Sequence, residues 1–580
     1  MIQYSITLNQ PEKHYIDISV KIDTKGSEKL NIQLPAWRPG RYELANFAQN
    51  IRKWYAVDEK GTELSSYKIK KDCWVIETGG CIEVSIKYDY YSNLLDAGNT
   101  YFNENQLYVN PVNCLVYIQE RINEPCEIQL TNLPENYTIA GSLSFDSGHK
   151  AVARDFHALA DSPFIACTDF KFRKYIVGNY NFSISIVGNA HPDWEKMIPD
   201  FQAFCTQQID LFGELPVKDY HFLYQMPDYK YYHGVEHLAS NVVCIGPAES
   251  LNTDEFYADF MGISSHELFH SWNVKSIRPV EMYPYDYSKE NYTPLNYVTE
   301  GVTSYYGDYI LLRSAVYTWE VYFAKAARTV ERHQHNFGKL YQTLSEASMD
   351  AWIDGYKTGA PDRKISFYQK GMIVAWMLDL NMRRDTNNSQ SLDSVMRILY
   401  REFAKKDKGY SEADYLHIVS SIAGKDYRAF FEKYVWGLDD VAPALHEALN
   451  YIGCELNRRP SALHFEDWFG FRLLEVDTVN SNVITHIAPD SPAERSRLSI
   501  GDKIIAVNGI SLDAVLNLNE VLREDKTGIA DISFTRNREL LSAKLEKGPN
   551  RYYPVYQIFK KAEADDAQKG NYKLWANQEF

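Results

Sequence analysis

Positive charge is what the sequence most lacks: 61 Lys and Arg stand against 77 Asp and Glu, a formal net charge of −16. Nucleic-acid phosphates are held by a basic footprint, and no Lys/Arg run supplies one, so a nucleic-acid partner is excluded. No stretch approaches the roughly 18 apolar residues of a membrane span. The eight cysteines (73, 81, 114, 126, 167, 205, 244 and 454) include no Cys-x-x-Cys pair. They are expected to be reduced core residues, and thiolate zinc sites are not expected. Internal repeats and low-complexity tracts are absent too. The opening Met1-Ile2-Gln3-Tyr4-Ser5-Ile6-Thr7 alternates like a strand, without a basic n-region, apolar core or cleavage site. The expected location is the cytoplasm, or the periplasm if a leader has been removed.

What is abundant is aromatic: 43 Tyr, 27 Phe and 11 Trp, a composition that favours strands and ring-lined surfaces. At 580 residues the chain has room for several domains with cores of their own. Residues 1–170 alternate in short runs, such as Ile16-Asp17-Ile18-Ser19-Val20-Lys21-Ile22, and predict an all-β, sandwich-like domain. Within it Pro35-Ala36-Trp37-Arg38-Pro39-Gly40-Arg41-Tyr42 is read as a rigid structural corner. Residues 171–455 begin with mixed strands and helices, including a helix ending near Phe212, and continue mainly helical. Residues 456–548 form a separate small β-rich unit in which Asn508-Gly509 marks a hairpin. A charged tail, 549–580, keeps enough aromatics to pack somewhere. The predicted class is multidomain α+β.

The segment with chemical content is His266-Glu267-Leu268-Phe269-His270. On a helix its two histidines lie about 40° apart, with Tyr257, Met261, Ser264, Leu268 and Trp272 predicted on the opposite, oily face. Imidazoles at i and i+4 can share one zinc ion, and the glutamate between them can act as general base. A catalytic zinc needs a third protein ligand. Glu300, at the start of the next predicted helix, is the natural supplier, and Asp308 is the second choice. Taken alone, Glu236 in Gly234-Val235-Glu236-His237 is an edge-strand carboxylate paired with a lysine, and Tyr368 is core packing.

These features together resemble the PDZ-containing glycyl aminopeptidases, zinc exopeptidases related to the alanyl aminopeptidase and leukotriene hydrolase group. The resemblance rests on His266 to Pro279, on the corner Pro35 to Tyr42, on Glu300-Gly301-Val302-Thr303-Ser304-Tyr305-Tyr306, and on a PDZ-like unit at 461–548. It implies an N-terminal β-domain, a thermolysin-like catalytic domain and a C-terminal PDZ domain whose carboxylate-binding loop would be Phe469 to Leu473. It further implies one zinc on His266, His270 and Glu300, with Glu267 as the base. Glu236 becomes the anchor of the substrate's free ammonium, in a segment where Val235 and His237 replace the Met and Asn of the wider group; Gly234 and His237 would line the same subsite, and the role of His237 stays open. Tyr368 becomes the oxyanion donor, although Gln369 stands where relatives carry Glu. The implied function is removal of the first residue from peptides with a free N-terminus, small residues (Gly or Ala) preferred. A non-catalytic PDZ scaffold with a relic zinc site, or a zinc endopeptidase, are the alternatives.

Overall fold

The computed structural model describes residues 1–474, 482–512, 518–524 and 526–580. Strict alternation makes the N-terminal sheets. In Tyr15–Asp23 the residues Ile16, Ile18, Val20 and Ile22 are buried while their neighbours face outward. Seven strands form the main sheet, in which Ile2–Leu8 pairs parallel with Cys126–Thr131 and antiparallel with Tyr15–Asp23. A three-stranded and a four-stranded sheet complete this part of the chain.

The part of the chain after residue 170 starts with a five-stranded sheet in the order Lys171–Val177, Tyr180–Gly188, Asp219–Met226, Ser240–Gly246, Tyr231–Glu236. Its inner strands are parallel and its last strand runs antiparallel along an open edge. The helix Trp194–Phe212 is started by Asp193, whose carboxylate accepts from the Glu195 and Lys196 amides, and is stopped by Gly213 at φ 89°. Phe201 and Phe204 on this helix pack edge-on against Phe222 of the sheet. Gln208 donates to Ser265 of the motif helix. The sheet, this helix and the motif helix thus form one packed body.

The tail is part of the catalytic body. Val555–Lys560 pairs antiparallel with Cys454–Arg459, so the PDZ-like unit is inserted between two strands that close on each other. The helix Asp566–Ala576 then buries Trp575 completely, stacked on Tyr309 at 5.2 Å and donating to the Tyr305 hydroxyl. The inserted unit has its own apolar core, including Phe465, Phe471, Ile504, Ile532 and Phe534. Its hairpin turns at Asn508 and Gly509, both at positive φ, with Val507 paired to Ile510. It meets the catalytic body where Tyr553 packs on His335 and Phe337 and the His335 Nε2–H donates to the Pro554 carbonyl. All eight cysteines are free and seven are buried. Among the described residues no helix is long and apolar enough to cross a membrane.

Candidate active site

The motif helix spans Asp254–Phe269. Its environment differs from the predicted two-faced one: from Phe260 to Phe269 every residue except His266 is buried. Trp272 lies beyond the helix end, stacked on Phe212. The sheet covers one side of the helix and Thr303–Arg313 the other. Glycine permits the close approach, because a methyl on Gly307 would stand 3.1 Å from His266 Cβ. An all-round buried helix leaves its histidines a single outlet, into a cavity of about 650 Å³.

His270 follows the last helical residue. Its Nδ1–H donates to the Asn273 carbonyl at 2.7 Å, which turns Nε2 toward His266 and Glu300. The Asn273 side chain donates to the Val298 carbonyl at 2.9 Å and to Thr303 Oγ1 at 3.0 Å, so it ties the histidines to the segment that carries Glu300. That segment, Tyr297–Val302, is a π-helical turn running into Thr303–Arg313. His266 Nε2 and His270 Nε2 are 3.0 Å apart, and Glu300 Oε2 lies 3.8 and 3.4 Å from them. Ligands about 2.0–2.1 Å from a tetrahedral zinc would be about 3.3 Å from one another. The donor set therefore fits the ion in type and in spacing. Burial works against a charged His270, but Glu300 outweighs it and pushes the imidazole up to about 10. The pocket attracts a cation. Asp308 lies on the same cavity wall but away from the histidines, with Lys325 and Asp259 as its charged neighbours.

Glu267 is pushed well above the ordinary carboxylate range, first by burial and then by the carboxylates of Glu236 and Glu300. Its Oε2 has no hydrogen-bond partner. Gly234 makes room for it, since a methyl there would stand 2.1 Å from Glu267 Oε1. Glu236 ends the edge strand, 4% exposed, with Oε1 unpartnered and carboxylate oxygen within 4.8 Å of the nearest Glu267 and His270 donor atoms. The predicted lysine pairing does not occur: the nearby Lys275 goes to Asp161 at 2.6 Å. Asp161 also accepts from His237 Nδ1 at 3.1 Å and from the Leu238 amide at 2.9 Å, so His237 is held from behind the strand. The corner is not merely structural. Trp37 Nε1 donates to the Asp286 carbonyl, and Gly40, at φ 85°, lies so close to Glu236 that a methyl would stand 2.3 Å from Oε2. The N-terminal domain thereby closes one end of the cavity.

Tyr368 enters from the helix Phe367–Asp385, whose cap Ser366 accepts from the Gln369 amide. Gly301 and Gly371 bring that helix against the Glu300 turn, as a methyl on Gly301 would stand 2.6 Å from Gly371 Cα. Burial first, then the Glu300 charge, hold the Tyr368 phenol well above its ordinary range, so it remains a proton donor. Tyr356 is its neighbour and accepts from the Tyr42 amide. Gly40, Asn273 and Tyr356 are the site residues that sequence reasoning missed. Asn273 had a signal, its place within the motif's continuation; Tyr356 had none.

The Peptidase M61 N-terminal domain model matches residues 3–168, and the model for M61 glycyl aminopeptidase matches residues 259–374, across the histidines, Glu300 and Tyr368. The chain thus carries an M61 N-terminal domain and an M61 glycyl aminopeptidase domain, each matched over part of its length. It is accordingly a zinc-dependent metallo-aminopeptidase. A PDZ domain model matches residues 464–528 of this glycyl aminopeptidase relative. In fold it is similar to an aminopeptidase N family protein from Idiomarina loihiensis, 24% identical with a TM-score of 0.88 over 99% of this chain and 100% of that one. It is more distantly similar to an M1 zinc metallopeptidase from Deinococcus radiodurans, 12% identical with a TM-score of 0.45 over 73% of this chain and 90% of that one. No curated protein matches it.

Proposed function

We propose that His266, His270 and Glu300 hold a single zinc ion and that the enzyme removes one small N-terminal residue, glycine or alanine, from peptides. When bound, the ion supplies Lewis acidity to water and to the scissile carbonyl. Glu267 takes a proton from the attacking water and returns it to the leaving amine; its raised proton affinity suits it to both transfers. The Tyr368 phenol donates a hydrogen bond to the developing oxyanion. Glu236 pairs with the substrate's α-ammonium.

The observation that carries this reading is the buried carboxylate of Glu236, whose Oε1 has no hydrogen-bond partner and which lies within 4.8 Å of the nearest Glu267 and His270 ligand atoms. A buried charge of that kind is compensated by a ligand cation. The separation leaves room for one residue between ammonium and scissile bond; the preference for a small one is supported by the glycyl aminopeptidase match. The test compares glycyl- and alanyl-arylamides with their N-acetylated forms in wild type and Glu267→Gln, with bound zinc measured in both. Equal rates on free and blocked substrates, or an active Glu267→Gln, would refute the assignment.

The PDZ domain is proposed to receive peptide termini at Phe469 to Leu473; among the described residues the strand Phe471–Leu473 pairs only with Ile484–Ile487, which supports strand addition on its other side. A reducing, cytoplasmic setting is supported by the free cysteines.

A further inference from the structure

The edge strand Tyr231–Glu236 gives the cleft a direction. Glu236 sits at its closed end, Gly234 lies beside the Glu267 carboxylate, and Tyr232 stands further out, where Asp259, Asp308 and Arg332 act on its phenol. Among the described residues the strand pairs only with Ser240–Gly246, and Tyr232, His233, Gly234 and Glu236 line the cavity. On the reading above, a peptide anchored at Glu236 places its scissile bond beside Glu267, and its leaving portion runs outward past Tyr232. Four strand residues cover about 13 Å, the span of the first three or four residues of an extended substrate.

What waits at that outer end is basic. The helix Trp319–Gln334 turns Lys325, Arg328 and Arg332 to the cavity, a spacing of three, four and seven that keeps them on one face. Acidic neighbours offset only part of this charge. Asp259 takes Lys325 at 2.6 Å, and Asp308, also beside Lys325, is discouraged from ionising by its burial. Arg328 reaches Glu255 only at 3.9 Å, with both side chains largely exposed. Arg332 makes no ion pair among the described residues. Two guanidinium groups are left facing the path of the departing chain, in a protein whose net charge is −16.

We propose that Arg328 and Arg332 form a carboxylate-binding subsite on the leaving side, selecting peptides with an acidic group on the third residue. The group can be an Asp or Glu side chain or the free α-carboxylate of a tripeptide. Partly exposed guanidinium–carboxylate contacts of this type are each worth a few-fold in affinity, so together they give a preference of about five- to tenfold in kcat/KM, carried mainly by KM.

Four peptides separate the sources: Gly-Ala-Glu-amide against Gly-Ala-Gln-amide for the side chain, and Gly-Ala-Ala as free acid against its amide for the terminus. Wild type should prefer the carboxylate in at least one pair. The preference should fall below about twofold in Arg328→Gln/Arg332→Gln, and should shrink as salt rises from about 0.05 to 0.5 M. Arg332→Gln alone, at an exposed position, should lower it if the double variant folds poorly. Calorimetric binding of the same peptides to Glu267→Gln gives the ratio without turnover. Equal handling of both pairs by an enzyme that still prefers free over acetylated glycyl-arylamide would overturn this subsite alone, as would a preference that survives both substitutions. Equal rates on free and acetylated arylamide would overturn the aminopeptidase reading and the subsite with it.

Discussion

Replacing Glu236 by glutamine keeps the shape of the side chain and removes its charge at a position that is 4% exposed. In the native chain the carboxylate has one oxygen without a partner and the other pressed against Gly40. A substrate ammonium bound there forms a charge-assisted contact in a desolvated setting, worth about 2–4 kcal/mol, or about 30- to 1000-fold in kcat/KM. The proposed ligands His266, His270 and Glu300 are untouched by the change, so Glu236→Gln should retain about one zinc per chain. The assay is the ratio of kcat/KM for glycyl-arylamide to that for its N-acetyl form. It should be large in wild type and approach unity in the variant, because the blocked substrate has no ammonium to lose. A variant that keeps the wild-type ratio refutes the anchor, and a variant that loses zinc shows that Glu236 serves the metal site instead.

Asn273→Ala removes the side-chain bonds to the Val298 carbonyl and Thr303, loosening the turn that carries Glu300; zinc affinity measured against a competing chelator should fall about 10-fold or more. Trp575→Ala should cost about 3–5 kcal/mol of stability in denaturant titration, because the tail helix fills the aromatic core around Tyr309 and Trp376; no change would mean that the tail is dispensable. Burial, with Lys370 and Lys339 behind it, pushes the His333 imidazole down to about 3, against about 6.5 when unfolded. The folded state therefore binds fewer protons between those values. Its stability should be intact above about pH 6.5 and decline toward about pH 3, by roughly 4 kcal/mol over the window, and His333→Gln should flatten that slope in thermal melts.

Local repeats carried much of the fold into view. The alternation of Ile16 to Ile22 specifies a strand with one buried face, and the i, i+4 spacing of His266 and His270 puts two imidazoles on one side of a helix, whatever surrounds them. The Asn508-Gly509 turn is equally local, because the positive φ angles it needs are properties of those residues. Glu236 and Tyr368 were legible only through likeness to a family, since neither an edge-strand glutamate nor a helical tyrosine has a pattern of its own.

The sequence by itself determined the element types and the histidine pair with the glutamate between them, because periodicity within one helix or strand sets which side chains share a face. It left Glu300 and Asp308 as rival ligands and presented the Pro35 to Tyr42 corner as scaffolding. Tertiary structure separates the two by distance and turns the corner toward the cavity. The π-helical turn and the Asn273 bonds bring Glu300 to the histidines and leave Asp308 beside Lys325, while Gly40 meets Glu236 from 196 positions away. It also aligned Arg328 and Arg332 with the cleft. Such meetings depend on how separate elements pack, and no spacing along the chain encodes them.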